Sequence, residues 1–337
     1  MNREVFFSII MPTYNSEKTI EKALQSIRMQ DMSSDEIEIL VIDGGSTDRT
    51  VEIAGKYGAV ILENPDRMPE YAKRIGLVNA TGRWIVMQDS DEVLIDASQL
   101  SRRKEFFLRN PDVYCLMLDR YIPGEKCGVA CAYLNWFGDP FSYVVYGLSD
   151  SRVKTNRQYL RKSGRKGNIY CYKDDDIIPI GDGGTTTVDI AKAKAIFGEE
   201  YYSQEFAVSI FLRMVQMTRY VGCIPEDNIV HYSSSGLRSY LKKLRFRVYT
   251  NLNDVKQSGY SVRCGRNKKL RKRKYFFVLY VISIIAPMID SIKMCLQYRR
   301  IELLLHFVYT YYVAFQLVVG AMGKMFGLQK REASYGK

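Results

Sequence analysis

VFFSIIMPTYNSEKTIEKALQSIRMQ, Val5 to Gln30, carries the reading on which the fold turns. Its opening apolar run, Val5 to Met11, reads as a buried strand and stops at Pro12. From Ser16 onward Ile20, Ala23, Leu24 and Ile27 recur at helical spacing, so a helix follows a short polar turn. The unit then repeats. EIEILVID is a second strand, Ser46 is expected to cap the helix TDRTVEIAGKY, Gly58 to end it, and AVILE is a third strand. PEYAKRIGLVNATG is a helix closed near Gly82, and RWIVMQ is a fourth strand. Strands alternating with single helices predict an α/β fold built on a right-handed, mostly parallel sheet.

In such sheets ligands gather beyond the carboxyl ends of the strands. Three polar clusters fall there: PTYN after the first strand, DGGSTD after the second and DSDE after the fourth. The last places Asp89, Asp91 and Glu92 within four residues, and carboxylates that close repel one another unless a cation offsets them. Mg²⁺ or Mn²⁺ takes one or two carboxylates and completes its shell with substrate phosphates, so a metal–diphosphate unit is the expected cation-bearing ligand. Glu92 is expected merely to cap the following turn.

Further along, SQLSRRKEFFLRN reads as a helix and VYCLMLD as a strand, while LNWFGDPFSYVVYG takes no assignment. A regular pattern returns at IGDGGTTTVDI and at a helix around FAVSIFLRMV, and a short strand-like segment ends in His231, whose neutral imidazole would serve as a further metal ligand.

The net charge of +12 is concentrated. Leu237 to Lys274 holds fourteen Lys and Arg against the single acid Asp254, and two apolar stretches, Tyr275–Ile289 and Ile301–Gly323, follow it. Anionic lipid is therefore the expected partner of the basic segment, rather than nucleic acid. A membrane-crossing hairpin would put Lys293, Arg299 and Arg300 on the outer side, against the positive-inside tendency, so helices lying in or partly entering the cytoplasmic leaflet are expected. Seven cysteines without paired spacing exclude a disulfide framework. The run before Pro12 is too short for a signal peptide, which places the N-terminal part in the cytoplasm, at the cell membrane.

PTYN, DGGSTDRT, AKRIGLVNATGRWIVMQDSDE and a downstream acidic helix followed by a His-containing strand together resemble the family 2 glycosyltransferases, with the nucleotide-sugar-binding fold called GT-A. The resemblance covers about residues 5–232, and the basic and apolar end resembles that of membrane-associated members acting on lipid-linked acceptors. It implies a GT-A catalytic domain over 1–236, with a nucleotide-sugar half to about 96 and an acceptor-side half beyond. A basic juxtamembrane segment (237–274) and a membrane-associated tail (275–337) would follow. By the same resemblance Pro12 belongs to the nucleotide-sugar-binding set, Tyr14 packs beside the nucleobase, Asp43 lies near base or ribose, and Asp89 contacts ribose and metal-side phosphate. Lys73 or Arg74 contacts phosphate, Asp91 and His231 ligate Mg²⁺ or Mn²⁺, and Glu205 is the catalytic base, with Glu200 and Glu199 behind it. The implied reaction is an inverting transfer of sugar from a nucleotide-diphosphate donor to a lipid-linked or surface-glycan acceptor. Two departures stand out: Gly44 follows Asp43 where the family often has a second Asp, and Phe206 follows Glu205 where it commonly has Glu-Asp. The second leaves open a non-catalytic membrane adaptor with a degenerate nucleotide-sugar site. A nucleotidyltransferase would want a Gly-rich phosphate loop where this chain has PTYN.

Overall fold

A computed structural model describes residues 4–125, 127–164, 166–179, 184–233, 236–253 and 271–326. Residues 254–270 of the expected basic segment and 327–337 of the expected tail lie outside the described residues. The chain divides into two compact units, the first made of residues 1–122, 152–173 and 180–232, the second of 123–151, 174–179 and 233–337.

In the first unit the strands are β1 (Phe7–Thr13), β2 (Ile37–Asp43), β3 (Val60–Glu63), β4 (Trp84–Met87), β5 (Glu92–Leu94), β6 (Cys115–Met117), β7 (Arg120–Pro123), β8 (Leu160–Lys162), β9 (Asn168–Cys171), β10 (Thr187–Asp189), β11 (Tyr220–Cys223) and β12 (Asn228–His231). Nine of them form one mixed sheet in the order β3-β2-β1-β4-β10-β6-β11-β9-β8. Its first four strands are parallel, as the alternating pattern predicts, and β10 enters antiparallel between β4 and β6. A small second sheet runs β5-β12-β7.

Helices α1 (Ile20–Arg28), α2 (Thr50–Lys56), α3 (Pro69–Asn79) and α4 (Gln99–Arg109) clothe the sheet. On one face Phe7, Ile9 and Met11 of β1 meet Ile20, Ala23, Leu24 and Ile27 of α1 in a single buried core. Trp84 joins that core stacked on Phe107 of α4, ring centroids 3.5 Å apart. On the other face α3 approaches β1 so closely that a Cβ at Gly76 would overlap Ile10. Ser46 does not cap α2 as expected: its hydroxyl turns back to Asp43 (2.5 Å), and Asp48 instead accepts from the backbone N–H of Thr50 (2.9 Å).

Arg103 of α4 is fully buried, its guanidinium forked onto Asp227 (2.8 and 3.1 Å) and reaching the carbonyl of Thr185 (3.2 Å). Gln99 holds the same carboxylate, so α4 pins the turn that launches β12. Arg103→Met should therefore destabilise this unit by about 3 kcal/mol or more, because it strands a buried carboxylate. The check is a urea titration followed by Trp84 fluorescence in a Trp136→Phe background, and an unchanged midpoint would refute it.

The second unit is helical: Cys131–Phe137, Pro140–Tyr146, Leu237–Asn253, Tyr275–Ile282, Ile285–Tyr298 and Leu305–Met325 surround a core that includes Tyr133, Phe137, Tyr240, Leu244, Phe277, Met294, Leu303, Tyr309 and Val313. The unassigned stretch of the sequence resolves into two short helices. Gly138 takes φ +71° between them, Asp139 caps the second by accepting from Ser142 N (2.8 Å), and Gly147 ends it at φ +68°. His306 is fully buried with both ring nitrogens engaged, Nδ1 with the Tyr133 hydroxyl (2.5 Å) and Nε2 with that of Tyr280 (2.7 Å). Tyr280 in turn donates to Asp290 (2.9 Å). By length and composition one helix among the described residues, Ile301–Met325, is apolar enough to cross a membrane, and the pair Tyr275–Ile282 and Ile285–Tyr298 is bent by 90°.

Candidate functional site

The three polar turns meet because the strands that carry them are in register. Thr13 at the end of β1 stands opposite Asp43 at the end of β2, and Ile10 stands opposite Met87 at the end of β4. Backbone and side chains lace the turns together: Asn15 N donates to Ser46 Oγ (2.8 Å), Asn15 Oδ1 accepts from Thr47 N (2.9 Å) and Glu17 N donates to Asp48 (3.1 Å). Ser90 Oγ donates to Ser16 Oγ (2.9 Å), joining the acidic turn to the same assembly.

Asp43 is buried and fully occupied at home. Its carboxylate accepts from Thr13 Oγ1 (3.1 Å), Ser46 Oγ (2.5 Å), Gly45 N (2.9 Å) and Ser46 N (2.8 Å), which fills the roughly four lone-pair sites a carboxylate offers. The open surface lies beside it. Tyr14 is 52% exposed, following the half-buried Pro12, and a Cβ at Gly44 would sit 3.5 Å from the Tyr14 ring. Across from it the Arg67 guanidinium lies over Gly45, 3.5 Å from where a Cβ would stand. Sequence reasoning missed Arg67, whose backbone takes the left-handed φ of +56° usual for glycine.

The acidic turn holds the other half of the site. His231 Nε2 lies 3.3 Å from Asp91 Oδ2, with the two side chains 18% and 34% exposed. This meeting follows from β5–β12 pairing, which sets His231 opposite Glu92, and from Tyr232 N donating to Asp91 O (2.8 Å). Burial alone would lower the His231 pKa, but the hydrogen bond and charge of Asp91, with Glu92 and Asp89 behind, raise it. Asp89 keeps solvent-facing surface, yet desolvation within the cleft and then the charge of Asp91 raise its carboxyl, with Lys73 pulling the other way. Glu92 is 1% exposed, and its pKa is pushed up to about 8 by burial and by Asp89. Rather than capping the turn that follows, it accepts from Asp89 N (3.1 Å), closing the turn that precedes it.

Lys73 and Arg74 part company. Lys73 bears electrostatically on Asp89, whereas Arg74 Nε donates to the carbonyl of Tyr202 (2.7 Å), tying α3 to the segment before the helix Gln204–Thr218. Glu205 occupies the first turn of that helix; its side chain lies outside the described residues. Glu200 is held by Arg213 (2.6 Å), whose hydrogen bond lowers its pKa, and Glu199 is exposed.

Among the described residues no three His, Cys, Asp or Glu side chains close into a protein-only metal cage. An oxygen and a nitrogen donor 3.3 Å apart with a second carboxylate nearby instead fit a hard divalent ion that keeps positions open for phosphate.

Residues 8–127 match the family model described as Glycosyl transferase family 2. The poly(ribitol-phosphate) beta-N-acetylglucosaminyltransferase TarS of Staphylococcus aureus is 37% identical over 94 residues, 26% of this chain and 16% of the relative. The dolichyl N-acetyl-alpha-D-glucosaminyl phosphate 3-beta-D-2,3-diacetamido-2,3-dideoxy-beta-D-glucuronosyltransferase of Methanococcus voltae is 36% identical over 172 residues, 44% of this chain and 54% of the relative. The chain thus spans well under two thirds of the length of these relatives. The solved mannosyltransferase PcManGT from Pyrobaculum calidifontis, in complex with GDP-Man and Mn²⁺, superposes with a TM-score of 0.52 at 15% identity, over 97% of this chain and 89% of that one; the likeness establishes a shared α/β fold of the GT-A kind.

Proposed function

We propose that this chain, whose residues 8–127 belong to glycosyl transferase family 2, transfers a sugar from a nucleoside-diphosphate donor to a lipid-linked or surface-glycan acceptor. The observation that carries the reading is the Asp91–His231 pair, 3.3 Å apart beside Asp89, where three laced strand-end turns meet. The nucleobase would pack against the exposed Tyr14 ring and the Arg67 guanidinium, the side chains that lie over Gly44 and Gly45, with Pro12 close by in the same turn. Asp43 would act through the loop it holds.

Asp91 and His231, with Asp89 alongside, would hold Mg²⁺ or Mn²⁺. That ion supplies, when bound, the positive charge that stabilises the departing diphosphate. Lys73, which bears electrostatically on Asp89 from α3, would add a positive charge there. Glu205 would take the proton of the acceptor hydroxyl as it attacks from the side opposite the diphosphate, which inverts the anomeric carbon. Glu200 is a poorer base because Arg213 already stabilises its charged form. The Glu205-Phe206 departure favours a second reading, a non-catalytic adaptor, and donor hydrolysis without acceptor would count against it. A thermal-shift screen of nucleoside-diphosphate sugars with and without Mn²⁺ tests the main reading, since ligands that bind only the folded state raise Tm. No metal-dependent shift with any uridine or guanosine donor would sink it.

Acceptor chemistry fits a membrane. Leu279, Ile282, Ile284, Ile285 and Leu296 are exposed apolar residues along the bent helix pair, with Arg271, Lys272, Lys274, Arg299 and Arg300 exposed at its two ends. The two helices, 8 and 14 residues, are about 12 and 21 Å long at about 1.5 Å per residue, short of the roughly 30 Å hydrocarbon core. Neither is long enough to cross alone, and we propose that the bent pair lies in the cytoplasmic leaflet of the cell membrane, as expected from the sequence, with the basic residues at the headgroups. Flotation with phosphatidylglycerol-containing vesicles should fall at least about tenfold for Ile282→Asp/Ile285→Asp, because burying a charge removes the apolar contribution at both positions. Undiminished flotation of that variant would refute the docking face.

A further inference from the structure

Glu92 lies between the acidic turn and a segment of the chain far away in sequence, and it touches both. We propose that Glu92 is the positioning residue that clamps the Asp89–Asp91 turn against the backbone at Gly184 and so holds Asp91 opposite His231. The proposal rests on the reading of Asp91 and His231 as the metal-side pair.

The clamp is closed at both ends of the turn. Glu92 Oε2 accepts from Asp89 N (3.1 Å) while Glu92 N donates to Asp89 O (3.0 Å), so backbone and side chain of one residue grip the residue three before it. Gln88 Nε2 donates to Glu92 O (2.9 Å), tying in the residue ahead. On its other side the carboxylate lies against Gly184, where an added Cβ would overlap it. The backbone there is not in the left-handed region, so it is the Glu92 carboxylate rather than φ that requires glycine at this position.

The Gly184 segment is itself fixed to the end of β4. Thr185 N donates to Met87 O, and Met87 N donates to Thr186 O (3.1 Å). The Tyr121 hydroxyl is shared between Gly184 O (3.3 Å) and the Glu92 carboxyl, and the Tyr121 ring leans on the His231 ring, centroids 5.5 Å apart. The carboxylate of Glu92 therefore touches the turn bearing Asp91, the Gly184 wall and the tyrosine beside His231. Without it the turn loses its internal acceptor and its wall together. Residues that orient metal ligands in this way typically govern metal affinity by about 10- to 100-fold.

Four variants of the full-length protein test this: Glu92→Gln, Glu92→Ser, Gly184→Ala and the Glu92→Ser/Gly184→Ala pair. Each is read for Mn²⁺ uptake with uridine or guanosine diphosphate by electron paramagnetic resonance, and for exchange of the Asp89 amide in metal-free protein. Gln keeps an acceptor of the same size, so Glu92→Gln should stay within about threefold of wild type, while Gly184→Ala should lose about 10- to 100-fold in Mn²⁺ affinity with faster Asp89 exchange. The pair should be no worse than Glu92→Ser alone, because shortening the side chain makes room for the methyl group; such non-additivity identifies direct coupling. Additive losses, or Gly184→Ala at wild-type affinity, would overturn the clamp. Should Glu92→Ser not fold, Gly184→Ala and Glu92→Gln still decide it. Wild-type protein that takes up no Mn²⁺ overturns the metal reading and this role with it, whereas normal wild-type uptake with an additive cycle overturns the positioning role alone.

Discussion

Asp91→Asn should abolish sugar transfer and metal-dependent donor binding while the chain remains folded. The amide matches the carboxylate in shape, and Asp91 is partly exposed, so little packing is lost. What disappears is the negative charge that faces His231 and would face the metal. Metal stabilisation of transition-state charge is worth several kcal/mol, and about 4 kcal/mol corresponds to a rate loss of about 10³-fold. The check pairs steady-state transfer with the Mn²⁺-dependent rise in Tm on donor addition. Transfer that survives chelation, or an undiminished shift in Asp91→Asn, would remove metal from the mechanism.

Glu205→Gln should bind donor almost normally and lose about 10²- to 10⁴-fold in turnover, the usual effect of removing a general base. Glu205 lies in the first turn of Gln204–Thr218, and Arg74 ties α3 to Tyr202, two residues before that helix begins. The group that would take the proton and the helix carrying Lys73 are thereby fastened together. The control is Glu200→Gln, which breaks a partly exposed ion pair with Arg213 and should change stability by no more than about 1 kcal/mol. If Glu200→Gln loses turnover and Glu205→Gln keeps it, the proton goes to the residue nearer Arg213.

How much of this was legible follows from the range over which each interaction acts. The β-strand and helix alternation from Val5 to Gln88 is written in local periodicity, and the four parallel strands appear where it places them. Strand ends predict where polar residues gather, which singles out Asp89, Asp91 and His231, and the structure brings Asp91 and His231 to within 3.3 Å. The contact of Glu92 with Gly184 is not legible in this way, because nothing within ten residues of Glu92 shows that Gly184 will press on its carboxylate. Ser46 was misread for a related reason: its hydroxyl goes to Asp43, three residues before it, rather than to the helix that follows. The helices at 131–146 did carry signals, Asp-Pro at an N-cap and glycines at both ends, but in a stretch too short and too aromatic for helical periodicity to be seen. In the tail, composition marks the apolar helices without showing that Phe277, Met294, Leu303 and Val313 lie inside a core with Tyr240 and Leu244.

The chain of groups around His306 has a direction. Tyr280 gives its single proton to Asp290, so its oxygen is left to accept from His306. The imidazole must then carry its proton on Nε2, which leaves Nδ1 bare and obliges Tyr133 to donate to it. One acid thus selects the tautomer of a histidine two hydrogen bonds away. Polarity in this network runs one way, from Tyr133 through His306 and Tyr280 to Asp290, so its two tyrosines are not interchangeable: the first only gives a proton, while the second must both give and receive.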